Sequence, residues 1–100
     1  MPRVMFSISY AIKTEHRDRY LGLIRDMQQH LVAAGKKNYS VFEAKGKKSH
    51  FTEVFLTESM EEFDTLEDNQ DERTQELVRK IEECVDKGGM KYSTLVELAI

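Results

Sequence analysis

Apolar residues alternate with smaller or polar ones near the start of the chain. Val4, Phe6, Ile8, Tyr10 and Ile12 fall on one side, and Met5, Ser7, Ser9 and Ala11 on the other. This period of two predicts a half-buried strand, and the β-branched and aromatic content of the first set suits it. The period then lengthens. Between Glu15 and Ala34 the apolar positions Tyr20, Leu23, Ile24, Met27, Leu31 and Ala34 recur at three and four, the stripe of an amphipathic helix. Thr14 is placed to cap its start, and Gly35 to close it in a left-handed turn. Gly22, in its interior, costs about 1 kcal/mol relative to alanine unless close packing requires it.

A second strand is predicted over Tyr39 to Lys45 and a third over His50 to Thr57, joined by the hairpin turn Gly46-Lys47-Lys48-Ser49. Ser59-Met60-Glu61-Glu62 has the form of a capping box and predicts a short helix carrying Phe63 and Leu66. The chain breaks near Asp68-Asn69-Gln70, where Asp68 or Asn69 caps a further helix. In it Leu77, Val78, Ile81 and Val85 repeat at helical spacing beside Cys84, and Gly88-Gly89 ends it. A last strand alternates from Lys91 to Ile100. The order is βαββαβ with the second helix divided. It predicts one α+β domain over residues 1–100, a four-stranded antiparallel sheet with helices on one face.

Helices cover only one face of a sheet. The side of the first strand with Phe6 and Ile8 is the natural helix side, which leaves Met5, Ser7, Ser9 and Ala11 on the reverse. The third strand is apolar on both sides: Phe51, Glu53, Phe55 and Thr57 alternate with His50, Thr52, Val54 and Leu56. A solvated sheet face reads as charged or hydroxyl-rich, and a large apolar patch marks an interaction site. The expectation is a homodimer in which a second copy lays its sheet against this one, with a space between.

The βαββαβ order, the split second helix and the run Ser59-Met60-Glu61-Glu62-Phe63 after strand three resemble the dimeric α/β-barrel superfamily. Its antibiotic-biosynthesis-monooxygenase-like branch is the nearest picture. The resemblance implies a ferredoxin-like monomer that pairs with a copy into a barrel holding any ligand inside. Activities in that superfamily include cofactor-free oxygenation of aromatic polyketides, haem degradation and lactone isomerisation. Haem-degrading members carry an asparagine, a tryptophan and a histidine where this chain has Ser7, Thr57 and Glu76, and the chain contains no tryptophan. The resemblance implies a barrel-facing, ligand-binding set of Met5, Ser7, Ser9, Phe51, Phe55 and Thr57, together with Glu53.

Candidate chemistry is sparse. Glu53, flanked by Phe51 and Phe55, becomes a general acid or base if burial raises its pKa; the alternative is a rim glutamate paired with a lysine. His50, after the lysine-rich hairpin, lies where a barrel mouth would be and is the second catalytic candidate. His16 reads as a solvated first-turn residue, and His30 as a favourable cation near a helix C-terminus. Glu97 reads as half of a strand-end ion pair, Tyr10 and Tyr92 as core, and Cys84 as a small buried hydrophobe. Ser7 and Ser9 lack any nucleophile setting.

Composition narrows the classes. An apolar content of 40% with a net charge of −3 excludes intrinsic disorder. One cysteine and three histidines exclude a disulfide framework and a standard zinc pattern, so the chemistry is expected to run without metal, cofactor or covalent thiol. No membrane-spanning run and no signal peptide stand out, which leads to an expected cytoplasmic location. Residues 58–83 hold 11 acidic and 3 basic side chains, whereas Lys36, Lys37, Lys45, Lys47 and Lys48 form a basic patch. Such a split is ordinary solvated surface or a means of steering an anionic substrate. An RNA-recognition module shares the element order and would stack bases on Phe51 and Phe55, but the motif's glycines are missing and no nucleic-acid partner is expected. The two readings that remain are a cofactor-free monooxygenase-like or isomerase-like enzyme acting on a small aromatic or enolic molecule, and a non-catalytic ligand-binding or regulatory dimer.

Overall fold

The computed structural model describes residues 2–35, 38–68 and 71–100, with 66–68 given by backbone alone. Lys36 and Lys37 of the basic patch, the Leu66 side chain and the proposed caps at Asp68 and Asn69 lie outside that description. The four strands pair antiparallel in the order β2-β3-β1-β4, with β1 at Val4–Ala11, β2 at Tyr39–Glu43, β3 at His50–Thr57 and β4 at Lys91–Val96. Helix α1 spans Arg17–Ala33, and the divided second helix is α2 (Met60–Asp68) and α3 (Glu72–Cys84). Their apolar stripes meet one sheet face, where Tyr20, Met27, Leu77, Ile81 and Cys84 are fully enclosed. This is the ferredoxin-like α+β arrangement that the alternation predicts.

Several boundaries differ for local reasons. Thr14 caps nothing: it opens a single 3-10 turn, Thr14–His16, in which the His16 amide bonds to Lys13 O at 2.9 Å before α1 begins. Gly35 ends α1 as expected, at φ +83°. The Ser59 hydroxyl accepts from the Glu62 amide at 3.1 Å, while the Glu62 carboxylate reaches one residue further back, to the Glu58 amide at 2.8 Å. Asp71 caps α3 by accepting from the Thr74 amide at 2.7 Å. Nor does Gly88-Gly89 end α3. Val85 turns extended after Cys84 and bridges Ile12, and the glycines carry the chain into β4. That strand stops at Val96, short of Ile100.

Candidate functional site

Directly paired residues of an antiparallel ladder share a face. The register couples Val4 to Thr57, Phe6 to Phe55, Ile8 to Glu53 and Tyr10 to Phe51. All eight therefore lie on the helix side. Met5, Ser7, Ser9 and Ala11 pair with Leu56, Val54, Thr52 and His50 on the open side. The expected ligand-binding set is thus divided by the sheet. Met5, Ser7 and Ser9 face outward, but Phe51, Phe55, Thr57 and Glu53 lie beneath the helices. Alternation alone cannot set the phase of β3 relative to β1, because both of its sides are apolar. The same geometry denies Phe51 and Phe55 the base-stacking role that RNA recognition would need.

The open face extends onto the edge strands through Ser40 and Phe42 of β2 and Lys91, Ser93 and Leu95 of β4. Its middle carries hydroxyls and apolar groups with no charge. Phe42 is 60% and Leu95 56% exposed, large apolar side chains that nothing in the monomer covers. One cross-strand hydrogen bond runs along it, Ser9 Oγ to Thr52 Oγ1 at 2.9 Å. Two hollows flank the middle. An apolar one of about 260 Å³ lies at the Met5–Leu56–Leu95 end, rimmed by Arg3 and Glu97. The other, about 370 Å³, lies at the hairpin end and is lined by Ser9, Ala11, Thr52, His50, Lys47 and Lys91, together with Gly88 and Gly89. His50 donates its Nδ1 proton to Lys48 O at 3.1 Å, which leaves Nε2 as the acceptor of the neutral ring. Lys91 and the Gly88-Gly89 turn are parts of this hollow that sequence reading missed. Their only signal was position: β4 pairs with β1, so the turn before β4 must approach the end of the sheet.

On the helix side, Glu53 is 5% exposed and, among the described residues, has no cation beside it. Its Oε2 accepts from the Tyr10 hydroxyl at 2.7 Å and its Oε1 from the Tyr39 hydroxyl at 2.6 Å. Tyr10 and Tyr20 hydroxyls lie 2.7 Å apart. Tyr10 has one proton and gives it to Glu53, so Tyr20 is the donor in that pair. The phenolic protons of Tyr10, Tyr20 and Tyr39 thus all run toward the carboxylate. Burial pushes the Glu53 pKa up, opposed by the hydrogen bonds from Tyr39 and Tyr10. Burial and the Glu53 charge push Tyr10 and Tyr39 well above the usual phenol range, and burial first of all raises Tyr20. Glu53 is not a rim residue, and among the described residues no lysine pairs with it. It sits in a core polar network, separated by the sheet from the hollow that His50 lines. In the sequence Tyr20 falls on the apolar stripe of a helix and Tyr39 at the start of a strand, and nothing local revealed that their hydroxyls meet Glu53.

The other candidates settle into place. Glu97 forms the expected strand-end pair, with Arg3 at 2.8 Å, and the Arg3 bonds hold its carboxyl down to about 2. Glu43 takes a two-pronged bond from Arg17, at 2.6 and 3.0 Å, and another from the Ser49 amide. This anchors the β2–β3 hairpin, where Ser49 is buried at φ +63°. His16 is half-buried in the turn before α1. His30, in the last turn of α1, bonds Asp71 at 2.9 Å. Glu76 pairs with Lys80 and Arg73 on α3. Tyr10 is core, but Tyr92 is 62% exposed and stacks on Phe6 at 6.1 Å, because no helix reaches over β4. Cys84 is buried. Among the described residues, no three of His, Cys, Asp and Glu gather as a metal-binding group. No helix is long and apolar enough to cross a membrane.

No family model matches the sequence, and no curated protein matches it. Solved structures do match the fold. A crystal structure of an antibiotic biosynthesis monooxygenase aligns over 97% of this chain and 98% of its own, at 17% identity and a TM-score of 0.71. The chain has the antibiotic-biosynthesis-monooxygenase-like fold. A conserved protein from Methanosarcina mazei aligns over 95% of this chain and 92% of its own, at 15% identity and a TM-score of 0.75. A NIPSNAP family protein from Agrobacterium tumefaciens aligns over 97% and 87%, at 16% identity and a TM-score of 0.69. At such identities the shared property is the fold, and this fold hosts unrelated activities.

Proposed function

We propose that the protein works as a homodimer whose open sheet faces meet around a small, largely apolar molecule. The carrying observation is the open face, uncharged at its middle, with Phe42 and Leu95 more than half exposed at its two edges. A monomer gains nothing from leaving such a surface to water. The antibiotic-biosynthesis-monooxygenase-like fold supports the reading.

Within that cavity His50 is the residue placed to exchange a proton with the ligand, through Nε2. Glu53 is not, because the sheet intervenes. An isomerisation fits this set without a co-reactant: His50 removes a proton from an enolisable carbon and returns it to another. Cofactor-free oxygenation would use the same proton removal, with dioxygen as the oxidant. A cytoplasmic location accords with the single buried thiol.

Sedimentation at micromolar concentration tests the reading. The expected species is a dimer, and Val54→Asp, which buries a charge at the middle of the proposed contact, should yield a folded monomer. A monomeric parent, or a Val54→Asp variant that remains dimeric, would overturn it.

A further inference from the structure

We propose that the hollow at the hairpin end of the open face binds the carboxylate of a small aromatic acid. Lys47 and Lys91 supply its cationic partners, and the Ser9–Thr52 hydroxyl pair a hydrogen-bond donor. This rests on the open face being the ligand face and adds the ligand's charge and polarity.

The first argument is electrostatic. Among the described residues, the side chains lining this hollow include Lys47, Lys91 and His50 but no carboxylate, in a chain whose net charge is −3. Neither lysine forms an ion pair among the described residues, so both ammonium groups are available to a ligand. The hollow at the far end is different: its one cation, Arg3, is already held by Glu97 through both nitrogen and oxygen pairs, at 2.8 and 3.2 Å. The open face is therefore polarised, cationic at one end and internally neutralised at the other. An amphipathic anion has only one orientation on it.

The second argument counts protons. Ser9 and Thr52 share one hydrogen bond at 2.9 Å. Two hydroxyls bring two protons, and that bond uses one. The other is left to donate into the hollow beside the lysines. Gly88 and Gly89 also line the hollow and add no side chains to it.

The third argument is size and continuation. A hollow of about 370 Å³ lies within the range of small-molecule sites. Ala11 lines it, and Val54 and Phe42 continue the apolar surface of the open face. A carboxylate between the lysines sets an attached ring system on that surface, under His50.

Calorimetric titration with 2-naphthoate and its uncharged counterpart 2-naphthylmethanol tests this on the intact protein. The acid should bind at least tenfold more tightly than the alcohol at low salt, and the margin should shrink as salt is added. In the Lys47→Ala/Lys91→Gln double variant the acid should fall to the alcohol's affinity, with the alcohol unchanged. Equal affinities in the parent, no binding of the acid, or an acid affinity untouched by the double substitution would each overturn the proposal. Loss of the dimer reading registers separately, in sedimentation. A dimer that binds only the alcohol removes the anion assignment and leaves the ligand face standing.

Discussion

The Tyr10 hydroxyl donates to Glu53 Oε2 at 2.7 Å, diagonally across the β1–β3 ladder and beneath the helices. A buried carboxylate without a cation is costly, and here two phenols and a relayed third replace water as its donors. The arrangement is complete only for the ionised carboxylate. Once Glu53 takes a proton, its new O–H needs an acceptor, and Tyr39, at the partly exposed end, is the phenol that can turn its proton outward.

Glu53 gives stability a specific pH dependence. Its unfolded carboxyl ionises near 4.5, and the folded one holds its proton to higher pH because it is buried. Between those two values the folded state binds more protons, so this contribution is full below the first and is lost as pH rises through the second. The slope is at most about 1.4 kcal/mol per pH unit, the limit for one proton. Asp71 runs the other way. The Thr74 amide, with lesser help from His30, lowers it to about 2, so its contribution is present above its ordinary value of 3.8 and lost as pH falls toward 2. Urea titrations across this range should show stability rising through acid and then declining, and Glu53→Gln should abolish the decline. A decline of unchanged slope in the variant would assign it to another group.

The proton direction in the tyrosine chain predicts unequal effects from two similar substitutions. Tyr10→Phe takes a donor from Glu53 and leaves the buried Tyr20 hydroxyl without its acceptor. It should cost about 2 kcal/mol or more, the range for a buried unsatisfied group. Tyr20→Phe removes only a donor to Tyr10 and should cost about 1 kcal/mol. Equal losses in denaturant titrations, or the reverse order, would mean that the protons run the other way.

Gly22 sits in the interior of α1, and a β-carbon built there meets nothing within 4 Å. Its backbone is helical, so no left-handed conformation justifies the glycine. Gly22→Ala should therefore raise stability by about 0.5–1 kcal/mol, seen as a higher midpoint at unchanged denaturant slope.

Cys84 is fully buried at the end of α3, with its Sγ directed to Lys80 O at 3.6 Å. Burial pushes the thiol pKa up, with Arg19 pulling the other way. A thiol-specific disulfide reagent at pH 8 should leave it unmodified in the native protein and label it completely in guanidinium chloride. Rapid native labelling would contradict this placement.

Much of the fold was legible because it follows from short-range pattern. The period of two places β1 and the limits of β3, and the three-and-four spacing of Tyr20, Ile24, Met27 and Leu31 marks the buried face of α1. Gly35 ends α1 for a backbone reason that sequence shows directly. The helix starts were less legible. Several residues near each start can accept a backbone proton, and the path of the incoming chain chooses among them, as at Asp71, which caps α3.

The candidate site was legible only in part. The sequence determined that a largely apolar sheet face would be left uncovered by the helices and that Glu53 and His50 were the titratable groups to follow. Tertiary structure decided on which side each one lies. Phe51, Glu53 and Phe55 alternate with Thr52, Val54 and Leu56, and neither set is polar enough to identify itself as outward. That choice falls to the pairing of β3 with β1, because a one-residue slip in register moves every side chain to the opposite face. The observed register puts Glu53 opposite Ile8, among tyrosines from β1, α1 and β2, and puts His50 with Ala11 on the open side. Pattern along one strand fixes alternation; contact between strands fixes its phase.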